Sequence, residues 1–272
     1  MTREGGTPGI AVIGGGLTGL MTAAALSHAG PRVHLIDRAE SDAAHPDERT
    51  TTINAAGARM LAALGAWDRL EKPPAPVTCI AVAEGLAPTG LAARRRPDSD
   101  LSWQSGDAPM GYVVANAALQ SALRETLAAT NVIERRGCGV TGWSAGDTIS
   151  SLGLADAAGQ EKTMEAALVV ACDGARSMMA ELAGLGRREE RQRQTAIVTT
   201  LRAERPHEGT AFQRFLPTGP FALMPGPGDA GGYEMSLVWT LPNDTAQQLI
   251  AADNASFEAA CLEAFGSRLG YL

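Results

Sequence analysis

A chain of 272 residues with 45% hydrophobic residues is long enough to bury a full core and to form one large or two modest domains. Its 23 basic and 30 acidic residues give a formal charge of −7, which argues against a general nucleic-acid binder. The four cysteines, Cys79, Cys138, Cys172 and Cys261, show no C-x-x-C spacing, so neither a metal site nor a disulfide framework is indicated and a reducing cytoplasm is the expected setting.

The apolar residues 10–13 predict a buried strand that runs straight into Gly14-x-Gly16-x-x-Gly19 and a helix to about residue 29. Gly30 and Pro31 stop that helix, and residues 32–36 predict a second strand that ends on Asp37. In a dinucleotide fold Gly14 permits the tight turn, Gly16 lets a pyrophosphate approach the backbone, and Gly19 lets the helix pack closely. The helix N-terminus offers free N–H groups to the phosphates. Asp37 arrives about 20 residues on, placed to accept hydrogen bonds from an adenosine ribose. A secretory signal is the competing reading, since Arg3 precedes a long apolar run with an Ala23-x-Ala25 pair. Three consecutive glycines and direct continuation into a strand disfavour it.

Residues 38–52 are polar and read as a loop, and residues 53–70 predict an amphipathic helix loosened at Gly57 and Gly65. A strand is expected at 78–83. Arg94, Arg95 and Arg96 read as a solvated loop, with a lipid-headgroup contact as the alternative. Residues 111–114 predict a strand and residues 116–129 a helix with Leu119, Leu123 and Leu127 on one stripe. Residues 132–164 suggest a small antiparallel ribbon. Residues 167–172 then give an apolar strand of the kind buried in parallel sheets, ending on Asp173-Gly174. An acid and a glycine at that end of a strand stand where ligands bind in open sheets; a plain Asp-Gly turn explains them equally. From residue 195 short strands predict a second, largely antiparallel sheet, and residues 244–265 have helical periodicity. No second apolar stretch is long enough to span a bilayer, so any membrane contact would be peripheral.

Several segments occur together and in order: the glycine motif, Asp37-Arg38, Asp47-x-Arg49 followed by LAALGAW, GYVVAN, ACDGARS at 171–177, AFQRFLPTGPFALMP and SLVWTLP. The set resembles the flavin-dependent aromatic hydroxylases, and most closely the ubiquinone-biosynthesis hydroxylase family, from about residue 9 to the last residue. The fold implied is α/β, a Rossmann-like FAD-binding domain of parallel sheet and helices with an interleaved, largely antiparallel substrate-domain sheet. The boundaries expected are 1–76 and 98–186 for the FAD domain and 77–97 and 187–272 for the substrate domain.

The resemblance implies FAD as cofactor, with NAD(P)H or another electron donor. It places Gly14, Gly16, Gly19, Asp37 and Arg38 on the ADP half and Arg49 along the flavin nucleotide. Asn116 falls near the cofactor, and Asp173 and Gly174 serve both FAD and the transient donor. The implied activity is hydroxylation of an aromatic ring by way of a flavin hydroperoxide. The implied substrate is a prenylated phenol or quinone precursor, and contact with a membrane surface or a ubiquinone-biosynthesis complex stays open. No catalytic side chain or metal is assigned, and His207 is expected to be a surface or loop residue rather than a base. The family's second Gly-Asp motif and long C-terminal helices have no counterpart after Phe265, so the chain is expected to be a fragment or a short form, and as it stands not a competent hydroxylase. A non-catalytic FAD- or nucleotide-binding module and a nicotinamide-only dehydrogenase are the alternatives.

Overall fold

The computed structural model describes residues 2–3, 8–40, 47–85, 100–228 and 230–272; the Arg94-Arg95-Arg96 segment lies outside them. A two-residue strand β1 (Thr2–Arg3) precedes the strand–turn–helix–strand unit read from the sequence, namely β2 (Gly9–Ile13), α1 (Leu17–His28) and β3 (Val33–Ile36). Then come β4 (Thr50–Asn54), α2 (Ala55–Ala63), a 3-10 turn at Trp67–Arg69, β5 (Ala75–Val77), β6 (Cys79–Glu84), β7 (Leu101–Gln104) and β8 (Gly111–Ala115). Helix α3 (Asn116–Ala128) leads to β9 (Ile133–Arg135), β10 (Cys138–Ser144), β11 (Ser150–Asp156), β12 (Glu161–Ala171) and α4 (Met178–Leu182). The chain continues through β13 (Gln194–Arg202), β14 (Thr210–Leu216), β15 (Gly219–Pro225), β16 (Glu234–Pro242), α5 (Asn243–Ile250) and α6 (Asn254–Phe265).

Contacts divide the chain into two compact units, Met1–Glu48 with Met60–Glu71 and Asn116–Glu189, and Arg49–Arg59 with Lys72–Ala115 and Glu190–Leu272. In the first unit the strand order is β10-β11-β12-β2-β3-β9, with β1 beside β12. β12, β2, β3 and β9 run parallel, and β10 to β12 form an antiparallel meander. Alternation puts Ala11, Ile13 and Ile36 on one face, where they are buried with Leu152, Leu154, Met164 and Ala166 of the meander. On the other side α1 packs on β2 and β3, and α3 packs on α1. Both faces of the central strands are thus covered, as a parallel sheet requires.

The second unit carries a six-stranded sheet, β13-β16-β15-β14-β6-β7, and a three-stranded sheet, β4-β8-β5. All of their pairings are antiparallel except β14 with β6. The core lies on one face of the larger sheet, where Phe221 packs edge-on against Trp239 at 5.0 Å and stacks on Phe265 at 5.9 Å. Cys261, Ala264 and Phe265 of α6 close that core. Among the described residues no helix is long and apolar enough to cross a membrane.

The fold class read from the sequence holds, with four local corrections. Residues 50–54 are a strand rather than a loop: three threonines and Ile53 are β-branched, they pair with β8, and the Thr50 and Ser236 hydroxyls share a hydrogen bond of 2.8 Å. The helix expected over 53–70 stops at Ala63, because Gly65 takes a left-handed φ of 78° and ends the regular turns. Residues 133–135 join the parallel sheet as its edge beside β3 instead of opening the ribbon. The last ribbon strand and the apolar strand of 167–172 are one element, β12, which pairs with β11 through its first half and with β2 through its second.

Candidate functional site

The cleft of the first unit follows from its topology. β2 continues into α1 and on to β3 on one side, while the chain leaves its other neighbour, β12, into α4, which packs by β10 on the opposite side. Such a switch point opens a crevice at the carboxyl ends of the strands. A cleft of about 330 Å³ lies there, lined by Gly14, Gly15, Gly16, Asp37, Arg38, Cys138, Gly139, Val140, Asp173 and Gly174 among others.

Its floor is the glycine turn. Gly14 has φ 105°, and a Cβ there would overlap the Cys172 carbonyl oxygen. A Cβ on Gly19 would overlap the Gly14 carbonyl oxygen, so the third glycine lets α1 close on the turn itself. A Cβ on Gly16 would meet nothing within 4 Å, so the backbone is open to the cleft at that point. Gly16 is also the N-cap of α1 and brings no side chain to cap it. The first N–H groups of a 12-residue helix therefore face the cleft's end without a side-chain acceptor.

Asp37 stands at the tip of β3. Its Oδ1 accepts the Ala39 N–H at 3.2 Å, and its Oδ2 pairs with Arg124 Nη2 at 3.5 Å. The same nitrogen of Arg124, on α3, donates to the Gly15 carbonyl at 3.3 Å, while Nη1 engages Glu134 on β9. Gly15, unlike Gly16, has no room for a side chain. A Cβ there would overlap Asp37 Oδ2 and lie 2.6 Å from Cγ. Gly15 and Arg124 were both missed from the sequence.

Across the cleft, Asp173 behaves largely as a helix cap. Its Oδ1 accepts the Ser177 hydroxyl at 2.6 Å and its Oδ2 the Met179 N–H at 3.0 Å, while Ser177 Oγ accepts the Ala180 N–H and so completes the first turn of α4. Burial pushes its carboxyl up, but these hydrogen bonds outweigh burial and leave it below its ordinary value. Gly174 follows with φ 80°, a conformation that favours glycine.

The structure thus brings Gly14, Gly16, Asp37, Arg38, Asp173 and Gly174 to one cleft, with Gly19 beneath it. Asn116 does not line the cleft; it is buried at the start of α3 and its Nδ2 donates to Asp47 at 2.8 Å. Arg49 belongs to the second unit, exposed beside the start of β4. His207 is a loop residue, as expected, but a buried one, its Nδ1 accepting the Gly209 N–H at 3.0 Å.

The family described as FAD binding domain matches residues 8–270. The chain belongs to this family. It is similar to ubiquinone hydroxylase UbiL of Rhodospirillum rubrum, 36% identical over 270 residues, which cover 97% of this chain and 58% of that protein. It is also similar to 3-demethoxyubiquinol 3-hydroxylase of Escherichia coli, 28% identical over 97% of this chain and 65% of that one. The chain therefore spans about three fifths of the length of these relatives. Among solved structures, p-nitrophenol 4-monooxygenase PnpA from Pseudomonas putida DLL-E4 aligns with a TM-score of 0.71 over 99% of this chain and 64% of that chain. At 20% identity that likeness speaks for the fold.

FAD is the cofactor of the family, and the cleft fits its ADP half. The turn is open at Gly16 where a diphosphate must approach, α1 presents an uncapped N-terminus, and a carboxylate stands at the end of β3 for the ribose.

Proposed function

We propose that the cleft of the first unit holds the ADP half of FAD and that the chain forms part of a monooxygenase that hydroxylates an aromatic ring. The observation that carries this reading is that the open, uncapped α1 N-terminus at Gly16 and the Asp37 carboxylate line one cleft. In this reading the α1 N–H groups take the diphosphate, and Gly14 and Gly19 shape the turn that presents them. Asp37 accepts from the ribose, and Arg38 adds a positive charge at the rim. Asp173 and Gly174 form the opposite wall, Asp173 by fixing the turn into α4. Asn116 acts at one remove, by anchoring Asp47. Arg49 keeps its assignment along the flavin nucleotide on resemblance alone.

Bound FAD supplies the redox chemistry, accepting electrons from a reduced nicotinamide or another donor and activating oxygen for transfer to an electron-rich ring. The chain's own part is binding, orientation and exclusion of water. The second unit, with its larger sheet, is the proposed substrate side. The names of the two relatives favour a ubiquinone precursor as substrate, an aromatic ring that carries a prenyl tail, and a peripheral membrane contact would suit such a substrate.

Titration of FAD against the purified chain, followed by flavin fluorescence and competed with ADP, tests the assignment. Saturable binding that ADP displaces, and that Gly16→Val abolishes while the thermal melt is kept, is the expected result. FAD binding that ADP leaves untouched would place the cofactor elsewhere.

A further inference from the structure

We propose that Arg124 is a positioning residue that sets the ribose specificity of the cleft, by locking Asp37 and the glycine turn into one arrangement. The proposal rests on the reading of the cleft as the site for the ADP half of FAD. Arg124 comes from the middle of α3, 87 residues from Asp37 and 109 from Gly15, and is only 12% exposed. Its guanidinium reaches acceptors on three separate elements: the Gly15 carbonyl of the turn, Asp37 at the tip of β3, and Glu134 on β9.

The chemistry explains why a guanidinium is needed at this place. Asp37 Oδ2 sits directly against Gly15, where a Cβ would overlap it. A carboxylate and a neighbouring carbonyl both present negative oxygen, and they stay together only if a donor serves both. Arg124 Nη2 does so, at 3.5 Å and 3.3 Å. Nη1 meanwhile holds Glu134, so a cation stands between two carboxylates, and Arg136 Nε lies 4.0 Å from the same Glu134 oxygen. A planar fork can satisfy acceptors in different directions at once, whereas a lysine ammonium acts as a single point charge on a flexible stem. With Arg124 removed, Asp37 and Glu134 lose the cation between them and the Asp37 carboxylate is free to swing away from the turn. The consequence falls on the ribose 2′-hydroxyl, the group that an acid at this position of the fingerprint accepts from.

The test is calorimetric titration of the chain and its Arg124→Gln, Arg124→Lys and Asp37→Asn variants with ADP and with 2′-deoxy-ADP, alongside thermal melts. The parent should prefer ADP by about tenfold, the scale of one charge-assisted hydrogen bond. In Arg124→Gln that preference should fall to about twofold, and Asp37→Asn added to it should cost nothing further. Arg124→Lys keeps charge and bulk and should hold the melt near the parent, yet its preference should also drop at least threefold; it decides the matter if Arg124→Gln does not fold. Equal weakening of both nucleotides, with the preference intact in either folded variant, would reduce Arg124 to a packing residue and overturn the proposal. A parent that binds neither nucleotide would overturn the reading of the cleft and the role of Arg124 with it.

Discussion

Gly15→Ala tests the role of Asp37 without touching the carboxylate itself, because the added methyl falls directly against that side chain. The new methyl would overlap Asp37 Oδ2 and lie 2.6 Å from Cγ, while ordinary contact begins near 3.4 Å, so the carboxylate must retreat by more than an ångström. The carboxylate can turn aside, but Asp37 Cβ lies 2.9 Å away as well, so the tip of β3 must also give slightly; Gly15 is not among the glycines with positive φ. Beyond that small shift the fold loses the part-buried Asp37–Arg124 pair, worth about 1 kcal/mol at its separation of 3.5 Å. That corresponds to a fall in Tm of no more than about 4 °C for a chain of this size. The nucleotide loses the ribose hydrogen bond to a charged acceptor, about 1.5–3 kcal/mol, or roughly 10- to 150-fold in Kd. Fluorescence titration of FAD beside differential scanning fluorimetry measures both numbers on one sample. An FAD affinity within twofold of the parent, with the melt unchanged, would mean that Asp37 does not touch the cofactor.

Gly16→Val puts a branched side chain into the open space at the α1 N-terminus, and FAD binding should become undetectable while circular dichroism stays that of the parent. For Asp173 the folded carboxyl lies below its ordinary 3.8, so its capping of α4 is complete above that pH and is lost as pH falls through the lower folded value. The Tm difference between the parent and Asp173→Asn should accordingly be constant from about pH 5 to 8 and shrink below about pH 4. Cys261 is fully buried, and burial together with Glu258 pushes its thiol up to about 12. Alkylation mapped by mass spectrometry should therefore reach Cys79, Cys138 and Cys172 in the native protein and Cys261 only after unfolding. Phe221→Ala removes the ring that joins Trp239 to Phe265 in the second unit and should cost about 3–5 kcal/mol in urea denaturation.

Local pattern carried most of the first unit. The glycine motif, the strand before it and Asp37 after it are encoded within some thirty consecutive residues, and each element forms where the spacing places it. What escaped the sequence depends on partners that are remote along the chain. Gly15 occupies a position where the fingerprint tolerates any residue, and its constraint comes from a carboxylate that only the folded turn brings against it. Arg124 carries no signal in the sequence, because its partner Asp37 is 87 residues away. The threonines of β4 are polar enough to pass for a loop, and pairing with β8 reveals them as a strand. Asp173 was legible as a residue at the end of a strand beside a cleft; that its oxygens are engaged with Ser177 and Met179 was not, since a cap and a ligand contact look alike in sequence.

We propose that FAD is held by its ADP half at the carboxyl ends of β2, β3 and β12. Amide hydrogen exchange of the chain with and without saturating FAD, resolved by peptide, tests it most directly. Protection is expected to concentrate at the N–H groups of residues 14–20 and of 37–39, with a smaller effect at 138–140. Protection confined to the β13–β16 sheet, or none at the glycine turn while FAD is demonstrably bound, would contradict it.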